Sequence, residues 1–539
     1  MDSSPKLSTP TENVLQRDHV QHDEQSRADA RDATAREHNL TLKDSFKLYP
    51  KAIAFSLLFS TAIIMEGYDL SLMGSFFGYD AFQEKYGNQP DGHGGKVISA
   101  DWQTYIQAGG QCGQIVGLYL NGWIAERIGY KRTMIGSQML MISLLFIPFF
   151  APNIQTLLVA MILLGIPWGV FQTLTLAYAS DIAPLVLRPY LTAYVNLCWV
   201  MGQLIAAGVL KGLLPIQGEW GYRIPFALQW LWPPFIILGS IFAPESPWWL
   251  VRQGRFENAK QSIQSLVSPN CGIDFNADDQ LAMLKATNEL EEEHLAGTSY
   301  LDAFQRTNLR RTEIASISYT AQNLCGSAMM GYSVQFYERA GLSTSNSFTF
   351  NVIQYCIGAT GVVLSWVLLN KFGRRTMYLG GMGSLLAVLI TIGGLGFAPT
   401  YMSGPSWAIG SLLILYAFIY NLSVGPLCYT LVAELPSTRL KGKTIVLARI
   451  LNNAAGLVNS FLMPRFLGVN SWNWGAKTGL FWGGLVVLIL TWAYFRLPET
   501  KDRTYGELDV LFEQEVSARK FSSMRVDQFV NSDEAKIKE

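Results

Sequence analysis

The sequence predicts an all-α membrane protein of twelve transmembrane helices arranged as two six-helix pseudo-repeats. Three observations carry that prediction. Of the 539 residues only 15% are charged and 50% are hydrophobic, and the mean hydropathy is positive, whereas a soluble chain carries about a quarter of its residues as charges. From Lys51 onward, apolar stretches of bilayer-spanning length follow one another. Three short motifs also occur twice, at nearly one offset. The same arithmetic excludes other classes. Lys+Arg and Asp+Glu balance at 41 each, so the chain has no basic surface for nucleic acid. Six cysteines are too few for a disulfide-framed secreted protein, and no spacing suggests a metal site, a redox motif or a cofactor.

Taken in order, residues 1–51 are polar, carry eight basic side chains and lack the apolar run of a signal peptide. They read as a disordered tail. Spans follow at about 52–77, 101–123, 133–151, 155–178, 189–210 and 224–243, which make a first bundle over 52–243. A polar central loop occupies 244–312. A second bundle over 313–497 has spans at about 313–337, 347–369, 376–397, 406–431, 444–464 and 478–496, and a tail runs from 498 to 539. With both tails in the cytoplasm, 33 of the 41 basic residues fall on the inner side and seven on the outer side. One, Arg449, lies inside a span. That asymmetry satisfies the positive-inside rule. Inside the loop, Asn276–Leu295 places Leu281, Leu284 and Leu290 at helical spacing, as in amphipathic helices lying under the bundle.

The repeated motifs sit at the inner ends of even-numbered helices. Glu126-Arg-Ile-Gly-Tyr-Lys-Arg132 returns as Asn370-Lys-Phe-Gly-Arg-Arg-Thr376, Asp181 with Arg188 returns as Glu434 with Arg439, and Pro244-Glu245-Ser-Pro returns as Pro498-Glu499-Thr-Lys, at offsets of 244, 253 and 254. Two parallel six-helix halves are a transporter architecture, with the site between them at the bilayer midplane.

Three ionisable residues stand inside spans: Glu66 and Asp69 in the first and Arg449 in the eleventh. A charge at the bilayer centre costs about 2.5–3.5 kcal/mol even on the lenient insertion scale. At i,i+3 the two acids share a helix face, and two neighbouring carboxylates resist ionising together. A carboxylate that changes protonation as the protein rocks would couple transport to protons. A static cluster tying the first helix to the eleventh is the alternative. All five histidines lie in tails or loops, so an intramembrane proton site must be acidic. Apolar helices also carry many amides: Gln107, Gln111, Gln114, Asn196, Gln203, Gln322, Asn323, Gln354, Asn421, Asn452 and Asn453. Amides donate and accept like sugar hydroxyls, and they also serve as interhelical hydrogen bonds.

These motifs resemble the sugar porter family of the major facilitator superfamily over about 50–515. Met65-Glu-Gly-Tyr-Asp69 and Leu191-Thr-Ala-Tyr-Val-Asn-Leu-Cys-Trp199 are similar to fungal alpha-glucoside (maltose-type) permeases. The resemblance implies protonation at Asp69, and sugar contacts at Asn196, Gln203, Gln322 and Asn452. It also implies an aromatic cover at Tyr429 and altered contacts at Ser327, where the family commonly has Asn. It further implies an inner gate of Glu126, Arg127, Arg132, Asp181, Arg188 and Glu245 in one half and Arg374, Arg375, Glu434, Arg439 and Glu499 in the other. Asn370, Trp248, Met161 and Gln114 depart from the family pattern: Met161 stands where many porters have Arg, and Gln114 where the permeases have an acid. Arg449 matches an Arg of those permeases. The expected function is uptake of an oligosaccharide with protons across the plasma membrane, with no cofactor. The partners are a sugar, protons and lipid, and the tails are free to meet signalling or trafficking proteins. A sugar receptor on a transporter scaffold and a passive facilitator are the alternatives. No P-loop or nucleophile motif marks an enzyme.

Overall fold

The computed structural model describes residues 40–90, 95–184, 186–216, 218–268, 275–295, 300–304, 306–398, 403–436, 440–468, 471–501, 503, 508 and 511–524. Among them twelve long helical elements run back and forth. In the first half these are α1 (Pro50–Phe76), α2 (Ala100–Ile128), α3 (Tyr130–Phe149), α4 (Ile154–Ile182), α5 (Arg188–Leu213) and α6 (Glu219–Phe242). In the second half, α7 begins as Arg306–Gln322 and resumes after a break to end with Ser333–Arg339. It is followed by α8 (Thr344–Lys371), α9 (Arg374–Leu395), α10 (Gly404–Glu434), α11 (Lys441–Leu467) and α12 (Thr478–Arg496). Every predicted span lies within or overlaps one of these.

Ten of the twelve are apolar enough to cross a membrane by hydropathy alone. The exceptions are α2 and α7. Glutamines and glycines dilute α2, and α7 is broken, so both hold polar groups that neighbouring helices must cover. The break in α7 is a π turn at Asn323–Ser327, where Gly326 has φ 96°, a left-handed conformation that favours glycine. In α10 the helix is interrupted at Ser423 (φ −125°, ψ −84°), just before Gly425-Pro426. Proline supplies no N–H to the preceding turn.

Small residues let backbones touch where no hydrophobic force drives helices together in lipid. A Cβ on Gly113 would stand 2.1 Å from the Ile162 carbonyl oxygen, and one on Gly169 2.2 Å from that of Gln114, which closes α2 on α4. Gly67 against the Trp199 carbonyl and Gly202 against that of Ile64 close α1 on α5, each at 2.2 Å. Between the halves, α2 packs on α11 and α5 on α8.

At the end remote from the termini the halves are closed on each other. A Cβ on Gly74 would lie 2.2 Å from the Gly331 carbonyl oxygen. Phe77 stacks on Tyr332 with centroids 6.2 Å apart, the Ser71 hydroxyl reaches Tyr355 Oη at 3.4 Å, and Asn351 Nδ2 donates to Ser75 Oγ at 3.4 Å. Rim contacts add Arg465 with Asp101 and Lys211 with the Ser345 carbonyl.

The other end carries the central loop, folded as Pro247–Arg252, Phe256–Leu266 and Ala277–Leu295. Trp249, Leu250, Val251, Ala259, Ile263, Ala277, Leu281 and Leu284 form a small core of their own, as the helical spacing predicts. The side chain of Leu290 lies outside the described residues. Ser268 N–H donates to the Leu48 carbonyl and Tyr49 Oη to Gln280, tying this layer to the start of α1. The segment after α12 departs from the expectation of a plain tail: Leu508, Leu511, Phe512, Ala518 and Phe521 are buried, and Arg310 and Arg311 of α7 lie over the Phe512 ring.

Candidate functional site

The repeated motifs pair with each other in space. Glu245 accepts from the backbone N–H groups of Tyr130 (2.9 Å) and Lys131 (3.2 Å), at the N-terminus of α3. Glu499 accepts from those of Arg374 (2.6 Å) and Arg375 (3.2 Å), at the N-terminus of α9. Carboxylates are stabilised there by unpaired N–H groups and the helix dipole. Gly129, at φ +92°, and Gly373 leave the room: a Cβ at either would meet the carboxylate oxygen at 2.4 and 2.1 Å. Partial burial pushes the Glu245 carboxyl above its ordinary value, and those N–H donors pull it back. The next layer repeats too, with Ser246 Oγ donating to Asp181 (2.7 Å) and Thr500 Oγ1 to Glu434 (2.5 Å), which also pairs with Arg374 at 3.2 Å.

The expected gate has other members among the described residues, with different surroundings. Glu126 and Arg132 are exposed, the Glu126 carbonyl accepts from Trp249, and Arg127 stacks on its own neighbour Trp123 at 4.1 Å. Arg188 is half-buried at the start of α5. Arg375 also donates to the Tyr494 carbonyl. Arg439 lies outside the described residues. The glutamate and arginine ties named here each run within one half, so the motifs brace the helix ends of their own bundle.

Midway along the helices, Glu66 and Asp69 are both buried and face different partners. Glu66 accepts from Gln172 Nε2 of α4 and, at 3.5 Å, from Gln114 Nε2 of α2. Asp69 accepts from Gln229 Nε2 of α6 at 2.9 Å. Three residues along a helix differ by about 60° in direction, which is enough to send the two acids to different neighbours. The expected carboxylate pair is therefore two separate acid–amide pairs. Arg449 acts electrostatically on Glu66 from α11 and lies over Tyr319 (4.5 Å) and Tyr429 (5.2 Å).

The amides gather around the same level. Gln322 Nε2 donates to the Gly425 carbonyl at 2.8 Å, and Asn196 Nδ2 from the other half stands 3.5 Å from where a Cβ on Gly425 would be. The π turn of α7 is held to α11 by Asn323 donating to the Asn452 carbonyl (2.9 Å), Asn452 to that of Tyr319 (2.9 Å) and Asn459 to that of Asn323 (2.7 Å). Ser327 Oγ turns back to the Gln322 carbonyl at 2.5 Å. Tyr429 packs edge-on against Tyr319 with centroids 5.5 Å apart. Gln203 is buried two turns along α5 from Asn196. Several amides thus serve as interhelical bonds through one group. Others keep buried atoms with no partner in the protein: Asn196 Nδ2, Asn453 Nδ2, Gln111 Oε1 and Gln172 Oε1. Gln172, Gln229 and Asn459 were not among the residues singled out in the sequence. Their signal was the one used for the others, an amide within an apolar helical run.

Two parallel bundles with buried charges and amides at their junction define a secondary transporter. The family model described as "Sugar (and other) transporter" matches residues 55–512. A general alpha-glucoside permease of Saccharomyces cerevisiae is 41% identical over 507 residues, covering 93% of this chain and 82% of the relative. An alpha-glucosides permease of that yeast is 44% identical over 509 residues (93% and 84%), and a maltose permease 42% over 505 (93% and 82%). Among solved structures, a proton:xylose symporter bound to 6-bromo-6-deoxy-D-glucose aligns with a TM-score of 0.70 at 19% identity, covering 86% of this chain and 99% of that one. A partially occluded inward-open form of the xylose transporter XylE from E. coli aligns at 0.66 and 20%, covering 84% and 100%. Likeness at that identity concerns the fold, which is the major facilitator fold. The chain belongs to the sugar transporter family.

Proposed function

We propose that this protein imports an alpha-glucoside together with protons across the plasma membrane, both tails facing the cytoplasm, by alternating access. The observation that carries the substrate class is the 41–44% identity to yeast permeases named for alpha-glucosides and maltose. Amides with unpaired buried atoms, together with the aromatic face of Tyr429, suit a ring bearing many hydroxyls. Asn196, Gln203, Gln322, Asn323, Ser327, Asn452 and Tyr429 are its proposed contacts, with Gln114 reaching Glu66 from α2.

Coupling rests on the two buried acids. Protonation of Asp69 and Glu66 removes negative charge from the path between the halves, and with sugar bound the bundles rock. Arg449 holds the charge of Glu66 between proton-loaded states. The membrane potential assists at about 2.3 kcal/mol per elementary charge per 100 mV. On this topology the closed end is extracellular, and the Glu245 and Glu499 clusters brace the cytoplasmic ends of α3 and α9 as the halves move. The test is the pH of a weakly buffered suspension of transporter-null yeast expressing the chain. Maltose or another alpha-glucoside should raise external pH as it enters. Radiolabelled uptake without a pH rise would refute coupling, and a response to xylose or glucose alone would refute the substrate class.

A further inference from the structure

Each membrane acid is met at close range by a glutamine, with Gln114 adding a 3.5 Å contact to Glu66, and the two close glutamines are matched in a way that ordinary packing does not require. Gln172 of α4 and Gln229 of α6 both present Nε2 to a carboxylate, and both keep Oε1 buried without a partner in the protein. Asp69 Oδ2 likewise has no partner. Both glutamines are buried, at 6% and 1% exposure. An ionised carboxylate only accepts, whereas a protonated one must also donate. An amide serves both states, because its terminal torsion is soft and roughly two-fold, and turning it over exchanges a donor for an acceptor at the same place.

We propose that Gln172 and Gln229 are the positioning residues through which Glu66 and Asp69 take and release protons. With the acid ionised, the amide N–H donates to it. When a proton arrives from water, an O–H bond forms on the carboxyl group, the amide turns over, and its Oε1 accepts that O–H. Release reverses the sequence. In each state the amide offers the matching group to the carboxyl oxygen it touches, whose desolvation would otherwise go uncompensated. The charged groups facing each acid support a difference between the pairs. Glu66 feels the charge of Arg449 and the field of the Tyr429 hydroxyl, whereas Asp69 has Gln229 and the neighbouring Tyr68. The Glu66 pair therefore keeps a cation at hand when it ionises, and the Asp69 pair depends on its amide.

The inference rests on the proton-coupled reading, and the experiment separates the two. Sugar uptake normalised to surface protein is measured against external pH for the wild type, Gln172→Met and Gln229→Met. Methionine keeps the length and removes both the donor to the ionised acid and the acceptor for the protonated one, and the bond to the charged form is the stronger of the two. Losing a hydrogen bond to the ionised form makes the proton harder to remove, so the alkaline limb of uptake should move up by about one pH unit in each variant. The larger movement is expected at Gln229. A packing role alone would lower the rate equally at every pH with the limb unmoved, and that result overturns the inference. If one variant fails to reach the surface, the other decides. Uptake by the wild type that is indifferent to pH would remove the coupling itself, and the inference with it.

Discussion

The carboxylate at the N-terminus of α9 makes a sharp quantitative test. Gly373 has φ −69°, so alanine there meets no backbone strain, yet its Cβ would lie 2.1 Å from Glu499 Oε2 and 2.5 Å from Cδ. The carboxylate must leave, and with it go the hydrogen bonds from the N–H groups of Arg374 at 2.6 Å and Arg375 at 3.2 Å. Bonds to a charged group contribute about 1.5–3 kcal/mol each. The site is only partly buried, and bonds sharing one carboxylate do not add, so the expected loss is about 2–3 kcal/mol. Glu499→Ala removes the same bonds and should cost a similar amount. The double variant should then cost no more than the worse single one, a coupling of about 2 kcal/mol. Gly129→Ala meets Glu245 in the same way, and its backbone at φ +92°, ψ 165° adds about 1–3 kcal/mol. The assay is thermal unfolding in detergent for the two singles, the double variant and Gly129→Ala. A double variant that loses the sum of the singles, or a Gly129 variant no less stable than Gly373→Ala, would refute the capping account.

Two further outcomes follow from the interface between the halves. Arg449→Met removes the cation that acts on buried Glu66 and should lower the temperature of thermal unfolding, most of the loss being regained when Glu66→Gln is added; equal losses with and without that second change would show the two groups to be independent. Gly74→Val cannot keep the 2.2 Å approach to the Gly331 carbonyl, so it should hold the remote end open, abolishing uptake while raising the labelling of a cysteine placed at Ser75. Unchanged labelling with normal uptake would refute the account of closure.

Much of the fold was legible because a bilayer imposes long apolar runs and buries unpaired charges at a high cost. All twelve helices overlap their predicted spans, including α2 and α7, which fall short on hydropathy but keep the length and the small or amide residues of interior helices. The loop helix over Ala277–Leu295 showed itself through leucine spacing. The docking of Phe512 and Phe521 beneath α7 did not, because nothing local distinguishes an apolar residue in a tail from one that finds a partner about 200 residues away in sequence.

The candidate site was legible as a list of residue types and not as a set of partners. Composition and periodicity by themselves determined that the chain spans the membrane twelve times, that its halves repeat, and that Glu66, Asp69 and Arg449 had to be matched inside the membrane. The tertiary structure decided how. It sent Glu66 to Gln172 and Gln114 and Asp69 to Gln229, and it turned the repeated Pro-Glu motifs onto the helix starts beside Gly129 and Gly373. It left Glu126 and Arg132 at the surface. The reason is that the cost of burying a polar group is local to that group and is visible in sequence, whereas the group that offsets it lies wherever the packed helices bring a complementary atom within about 3 Å.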